Sequence, residues 1–221
     1  MMFRKHHRRP EILPGIPCHD LPYVDYRHSA RDCDVALWEP RDFSGKLIAV
    51  ATDGPFCHVS GLAWLHGRLW SAGYEERCNG FLSPLSAEVR RHPRKISVFR
   101  PTLHLDERQR QAILRHLVGD LTGDYAWKNI RLITLGHLLG LRWFTWIPAY
   151  REMIRKQSLQ TKSAICSQHI VRSFRRGANL RFVNKHDAVV SPNDLARSPL
   201  LHYLGTLTWQ WSSSHAVRPA A

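Results

Sequence analysis

Acidic residues are scarce in this chain of 221 residues, because 18 Asp and Glu stand against 32 Lys and Arg. The formal net charge is therefore +14 before any of the 14 His is protonated. A surface of this sign predicts an anionic partner, which could be nucleic acid, a lipid headgroup or a cell-wall polymer. Charge alone does not choose among these three.

Cysteines are few and unpaired in the sequence. The five residues, at positions 18, 33, 57, 78 and 166, form no C-x-x-C pair and are odd in number. This pattern excludes a disulfide framework and a four-thiolate zinc site, and it favours a reducing compartment. The segments Cys18-His19-Asp20 and His6-His7 lack a second ligand pair at a matching spacing, so we expect no metal site and no cofactor.

Long hydrophobic runs are also missing. The longest apolar stretch, 132–149, is interrupted by His137 and Arg142 and closed by Pro148, so it falls short of the ~20 apolar residues that cross a bilayer. The basic start, MMFRKHHRRP, is not followed by the apolar segment of a secretion signal. We therefore expect a cytoplasmic protein that could touch a membrane or envelope only peripherally.

No nucleic-acid-binding signature accompanies the basic clusters RKHHRR, RRHPRK and RSFRR. Such clusters are usually solvated faces, so specific nucleic-acid binding is not expected, although nonspecific binding remains an alternative. A Gly-rich phosphate loop and a serine nucleophile motif are absent as well.

An apolar content of 43% with eight Trp supports one folded domain. We predict an extended basic arm over 1–33, the domain over 34–210 and a flexible tail over 211–221. The order of elements is typical of an α+β fold. The predicted strands are 34–38, two runs that form a hairpin around His66-Gly67, 96–100 and 201–209. The predicted helices are 44–52 with Ser44 as N-cap, 83–93, one after Pro101, 125–139, one from Ser163 to a stop at Gly177, and 191–199.

Cys166 is the candidate nucleophile. If Ser163 or Ala164 caps its helix, the thiol lies in the first turn, where free backbone N–H groups and the helix dipole favour a thiolate. The alternative is a buried cysteine that acts as a small apolar residue.

His58 is the candidate general base. It lies in the apolar run FCHVSGLAW, where a polar side chain needs a partner. With His66-Gly67 as a two-residue turn, paired positions sum to 133, which places Glu75 opposite His58 and leaves Cys57 on the other face. A carboxylate there could orient the imidazole. The alternatives are a satisfied core histidine and a solvated Glu75 at a strand end.

The ordered motifs DVALW, CHVSGLAW, a hairpin return, PLS, ISVFRP, GDYAWKNI and AICSQHIV resemble the circularly permuted branch of NlpC-type papain-like cysteine hydrolases. Within that branch they resemble YiiX-like proteins, including phage and prophage members, over about residues 34–209. The resemblance implies an antiparallel sheet packed against helices, with Cys166 as nucleophile and His58 as base. Two positions depart from the family pattern: Gly73 stands where a Glu is expected, and Cys33 replaces a common Gly.

The implied reaction is acyl transfer through an acyl-enzyme, with the backbone N–H of Cys166 among the oxyanion donors. NlpC-type relatives cleave amide bonds in peptidoglycan peptides, whereas acyltransferase relatives act on lipids. We therefore expect amide hydrolysis on an anionic acyl substrate. A lipid thioesterase or acyltransferase and an inactive binding module are the alternatives. His169, one turn after Cys166, ranks second to His58 because its side chain runs parallel to the thiol.

Overall fold

The α+β class is confirmed in the computed structural model, which describes residues 11–75, 79–121 and 166–209. Seven strands form one sheet in the order β3-β9-β8-β4-β5-β6-β7, and helices pack against it. The strands are β1 (Glu11–Leu13), β2 (Ile16–Pro17), β3 (Asp20–Pro22), β4 (Val35–Trp38), β5 (His58–Leu65), β6 (Arg68–Glu75), β7 (Asn79–Pro84), β8 (Ile96–Pro101) and β9 (Leu201–Thr208). The helices are α1 (Tyr23–Ser29), α2 (Phe43–Ala51), α3 (Leu85–Arg91), α4 (Glu107–Gly119), α5 (Cys166–Ala178) and α6 (Pro192–Ala196).

The β5–β6 hairpin has the predicted register. Gly61 lies opposite Ala72, and the pairing continues without a shift to the turn. His66 and Gly67 both have positive φ, 50° and 71°, as a type I′ turn requires. The paired numbers sum to 133, so the side-chain faces of both strands are those that the sequence predicts.

The sheet separates two buried clusters. Val59 and Leu37 belong to the cluster under α4 and α5, together with Cys166. Trp38 and Leu62 belong to the second cluster, on the opposite face with α1 and α3. Because side chains alternate along a strand, every residue of β4 and β5 is assigned to one face or the other.

Close approach of α5 to its neighbours depends on glycine. A Cβ on Gly177 would lie 2.4 Å from the backbone N of Ile113 in α4, so the two helices meet at that point. The prediction that Gly177 stops the helix was wrong, because α5 continues to Ala178 and ends before Asn179, whose φ is 52°. Gly177 is required for packing rather than for termination.

Residues 20–29 differ from the predicted extended arm. The strand β3 pairs in parallel with β9 at the sheet edge, and α1 follows it. The Tyr26 hydroxyl donates to the fully buried Asp34 carboxylate at 2.8 Å, and Arg100 contacts the same carboxylate at 2.7 Å. The strands β1, β2 and β3 are only two or three residues long, so the sequence shows no strand periodicity there.

Two further details correct the sequence analysis. Asp42, and not Ser44, caps α2, since its carboxylate accepts from the backbone N–H of Gly45 at 2.8 Å. The strand β7 was not predicted. The predicted helix at 125–139, the Ser163 cap and the basic terminal segments lie outside the described residues.

Candidate functional site

Cys166 is the first described residue of α5 and packs on the face of the sheet that carries Val59. Its side chain is buried, with 5% exposure. Burial raises the pKa of the thiol to about 11, and hydrogen bonds from the backbone of Val59, Ser167 and Cys166 itself act in the opposite direction. These bonds lower the pKa because backbone N–H donors stabilise a thiolate. Desolvation outweighs these hydrogen bonds, so the resting group is a thiol.

His58 begins β5 opposite Trp38 of β4. Its ring contacts Trp38 edge-on, with centroids 5.8 Å apart, and lies 5.8 Å from the Phe81 ring on β7. The Nε2 atom is buried and has no hydrogen-bond partner among the described residues. Burial, followed by the positive charge of Arg41, lowers the pKa of His58 to about 3, so the imidazole is neutral at pH 7.

The structure does not bring the His58 ring to the face that carries Cys166. Trp38 and Phe81, the two ring neighbours of His58, lie on the face of the second cluster, as does Gly73, whose added Cβ would meet Phe81. Cys166 belongs to the first cluster. The two candidate residues are therefore neighbours through the backbone of β5, but their side chains point to different faces.

Glu75, the last residue of β6, is two residues beyond Gly73 and shares its face by alternation. Its negative charge contributes to the raised pKa of Cys166. The pKa of Arg41 is lowered by burial, and the charge of Glu75 acts against that shift. Glu75 is thus within electrostatic reach of the thiol and of a guanidinium. Arg41 lies 4.4 Å from the centroid of the Trp38 ring.

Gly73 lies in a crowded position between Phe81 and Ser60. A Cβ at this position would lie 3.3 Å from the Phe81 ring and 3.4 Å from the Cβ of Ser60. A glutamate here would have to displace the Phe81 ring, which itself contacts His58. The small residue and the aromatic ring are therefore complementary.

His169 is held by contacts with two neighbouring elements, α4 and β6. Its Nε2 atom lies 2.9 Å from the carbonyl oxygen of Leu117, and its ring packs edge-on against Tyr74 at 5.0 Å. Burial lowers the pKa of this imidazole. The contacts join α5 to α4 and β6, which agrees with its lower rank as a base.

Two neighbours of the site were missed by sequence reasoning. Arg41 follows an ordinary Glu-Pro pair, and no local pattern indicates that its guanidinium packs on Trp38. Cys57 was predicted to point away from His58, but its proximity to Cys166 was not anticipated. Burial raises the pKa of Cys57 to about 12, and the charge of Cys166 contributes in the same direction.

Cys33 occupies a position suited to glycine, because its φ is 70°. Cys33 lies in a turn before β4, as expected. Of the candidate metal segments, His19 contacts the carbonyl oxygen of Leu204 at 2.9 Å and Asp20 pairs with Arg94 at 3.1 Å. Within residues 11–75, 79–121 and 166–209, no three His, Cys, Asp or Glu side chains form a metal-binding group.

A membrane-crossing helix, one both long and apolar enough, does not occur among the helices of the described residues. The apolar stretch at 132–149 lies outside them.

No protein-family model matches the chain, and no curated protein matches it. Among solved structures, the chain is similar to YiiX from Escherichia coli O157:H7, which is described as a metalloprotein. The TM-score is 0.56 and the identity is 14%, and the match covers 82% of this chain and 98% of YiiX. The chain therefore has a YiiX-like α+β fold.

Proposed function

We propose that the chain is a cysteine hydrolase with a circularly permuted papain-like fold, in which Cys166 is the nucleophile, His58 the general base and Glu75 the third polar residue. The observation that carries the proposal is the position of Cys166 in α5, buried against β5 beside Val59, where neighbouring backbone N–H groups favour its thiolate. Such donors stabilise negative charge on the attacking sulfur or on a nearby carbonyl oxygen. The YiiX-like fold supports the same assignment.

The reaction follows from these groups. As the Cys166 sulfur attacks the carbonyl carbon of an amide, His58 takes the thiol proton and then gives it to the leaving amine. The C–N bond breaks and leaves a thioester. Water, deprotonated by the same imidazole, hydrolyses the thioester and restores the thiol. The preferred substrate is an anionic peptidoglycan peptide, with a lipid thioester as the alternative.

The proposal requires a change at the start of β5, because the His58 ring lies on the other face of the strand from Cys166. His58 is the first residue of β5; it pairs with Trp38 of β4 but lies outside the register that joins β5 to β6. Strand ends open at lower free energy than strand centres. A substrate that binds more tightly when the backbone at the start of β5 is rotated would therefore bring the His58 ring to Cys166.

A non-catalytic YiiX-like module is the second candidate. It is favoured by the same separation of His58 from Cys166, and by the neutral resting state of both groups. Such a module would retain the fold and a binding surface without turnover.

Parallel digestion of purified murein and of lipid thioesters, with mass spectrometry of the products, tests the hydrolase. We expect one substrate class to be cleaved, and His58→Ala to slow cleavage by about 100-fold or more. The matched control, His104→Ala, removes an exposed imidazole and should leave the rate unchanged. Absence of cleavage in both classes would favour the non-catalytic module.

A further inference from the structure

A cavity lies away from Cys166, between α1, α3, the start of β6 and Trp209. Its volume is about 560 Å³, which is in the range of small-ligand sites. Tyr23 and Leu69 line it and belong to the buried cluster on the face opposite Cys166. We call this cavity the basic cleft.

The lining of the basic cleft carries charge of one sign. Arg27 and His28 come from α1, Arg68 from β6 and Arg90 from α3, and among the described residues that line the cleft there is no carboxylate. In the part of the chain that the structure describes, none of the three arginines forms an ion pair. An uncompensated guanidinium cluster attracts an anion with several acceptor oxygens.

Aromatic rings hold two of these guanidinium groups. Arg90 lies 4.3 Å from the centroid of the Trp209 ring, and Arg27 lies 5.7 Å from that of Trp64. Stacking on an aromatic face fixes a guanidinium without neutralising it. These ring contacts restrict the two side chains before an anion binds, which lowers the entropic cost of binding.

The remaining lining is apolar. Val24, Leu69, Pro84 and Ala87 give the cleft its apolar wall area, and Tyr23 lines it while stacking on Trp209 at 5.7 Å. Inorganic phosphate would contact only the arginines and leave this wall exposed to water. A ligand with an apolar segment next to its anionic group would bury the wall and gain free energy in proportion to that area.

We propose that the basic cleft binds a single-chain amphiphile with a phosphate headgroup, the headgroup at Arg27, Arg68 and Arg90 and the alkyl chain along the apolar wall. Three guanidinium groups match the three terminal oxygens of a phosphate monoester better than the two oxygens of a carboxylate. The site is separate from Cys166, so it does not depend on the proposed hydrolase activity.

Calorimetric titration of the full chain with decyl phosphate, below its micelle concentration, tests the proposal. We expect saturable binding of one equivalent. Inorganic phosphate and decyltrimethylammonium should each bind at least about tenfold more weakly, because each lacks one half of the recognition.

Two double variants test whether decyl phosphate binds in the basic cleft. Arg68→Gln with Arg90→Gln should weaken decyl phosphate binding by about tenfold or more. Arg108→Gln with Arg115→Gln, two exposed positions on α4, removes the same charge elsewhere and should change affinity less than twofold. Circular dichroism verifies that both variants fold. Equal weakening in the two variants, equal binding of inorganic phosphate, or no saturable binding would each overturn the proposal.

Discussion

At the scale of the residue, burial decides the protonation of the candidate site. The donors around Cys166 lower the pKa of its thiol, but desolvation is larger and raises it to about 11. Desolvation also lowers the pKa of His58 to about 3. The resting protein therefore holds a neutral thiol and a neutral imidazole on two faces of one strand, and not a preformed ion pair.

The resting state of Cys166 makes a prediction for alkylation. Because the thiolate is the reactive form, iodoacetamide should label Cys166 slowly at pH 7, and the rate should rise about tenfold per pH unit up to pH 9. His58→Ala should leave this resting rate unchanged, since the ring lies on the other face. Peptide mapping by mass spectrometry gives the rate. A plateau near pH 7 would contradict the protonation described here.

The low pKa of His58 makes a prediction for stability. The folded protein resists protonation of this ring, whereas the unfolded chain binds a proton near pH 6.5, so stability is full above pH 6.5 and falls towards pH 3. The contribution of His58 is about 1.4 kcal/mol per pH unit in that window. Urea unfolding at pH 7, 6 and 5 should show a shallower decline for His58→Gln than for the wild type. Parallel declines would show that the imidazole titrates normally.

At the scale of the element, local signals predicted most helices and strands. The turn chemistry of His66-Gly67 predicted the β5–β6 register, and alternation from it places His58 and Gly73 on one face of the sheet. The sequence did not predict which face of the sheet the helix α5, with Cys166, would cover. The helix α5 packs on the face of Val59, and no local pattern in α5 or in β5 indicates which face a distant helix will cover.

A substitution at Gly177 tests whether the close contact between α4 and α5 contributes to stability. Gly177→Ala would place a methyl group 2.4 Å from the backbone of Ile113, so α4 and α5 must separate. Overpacking of this kind costs ~1–3 kcal/mol. Gly119→Ala is the matched control, since an added Cβ there meets nothing within 4 Å. Equilibrium unfolding in urea measures both, and similar stabilities for the two variants would refute the packing role of Gly177.

At the scale of the whole molecule, the sheet joins the two ends of the described chain. The strand β3 covers the edge of β9, and the Tyr26 and Arg100 side chains meet at the buried Asp34 carboxylate. The α+β class was predicted from element order, whereas this closure was not, because it depends on pairing between residues some 185 positions apart.

A truncation tests that closure. A chain that begins at residue 34 lacks β3, α1 and the Tyr26 hydroxyl, which exposes the edge of β9 and leaves the Asp34 carboxylate with fewer donors. We expect it to aggregate or to unfold without cooperativity. A chain that begins at residue 11 should unfold like the full chain in urea. Equal cooperativity in both would support the predicted domain boundary at residue 34.

The most direct test of the account compares turnover in Cys166→Ser and Cys57→Ser, which alter a buried thiol and a partly buried thiol near it. With whichever acyl substrate the wild-type chain cleaves, Cys166→Ser should lose activity by about 1,000-fold or more, while Cys57→Ser should stay within about threefold of the wild type. Turnover that survives Cys166→Ser would contradict the assignment of the nucleophile.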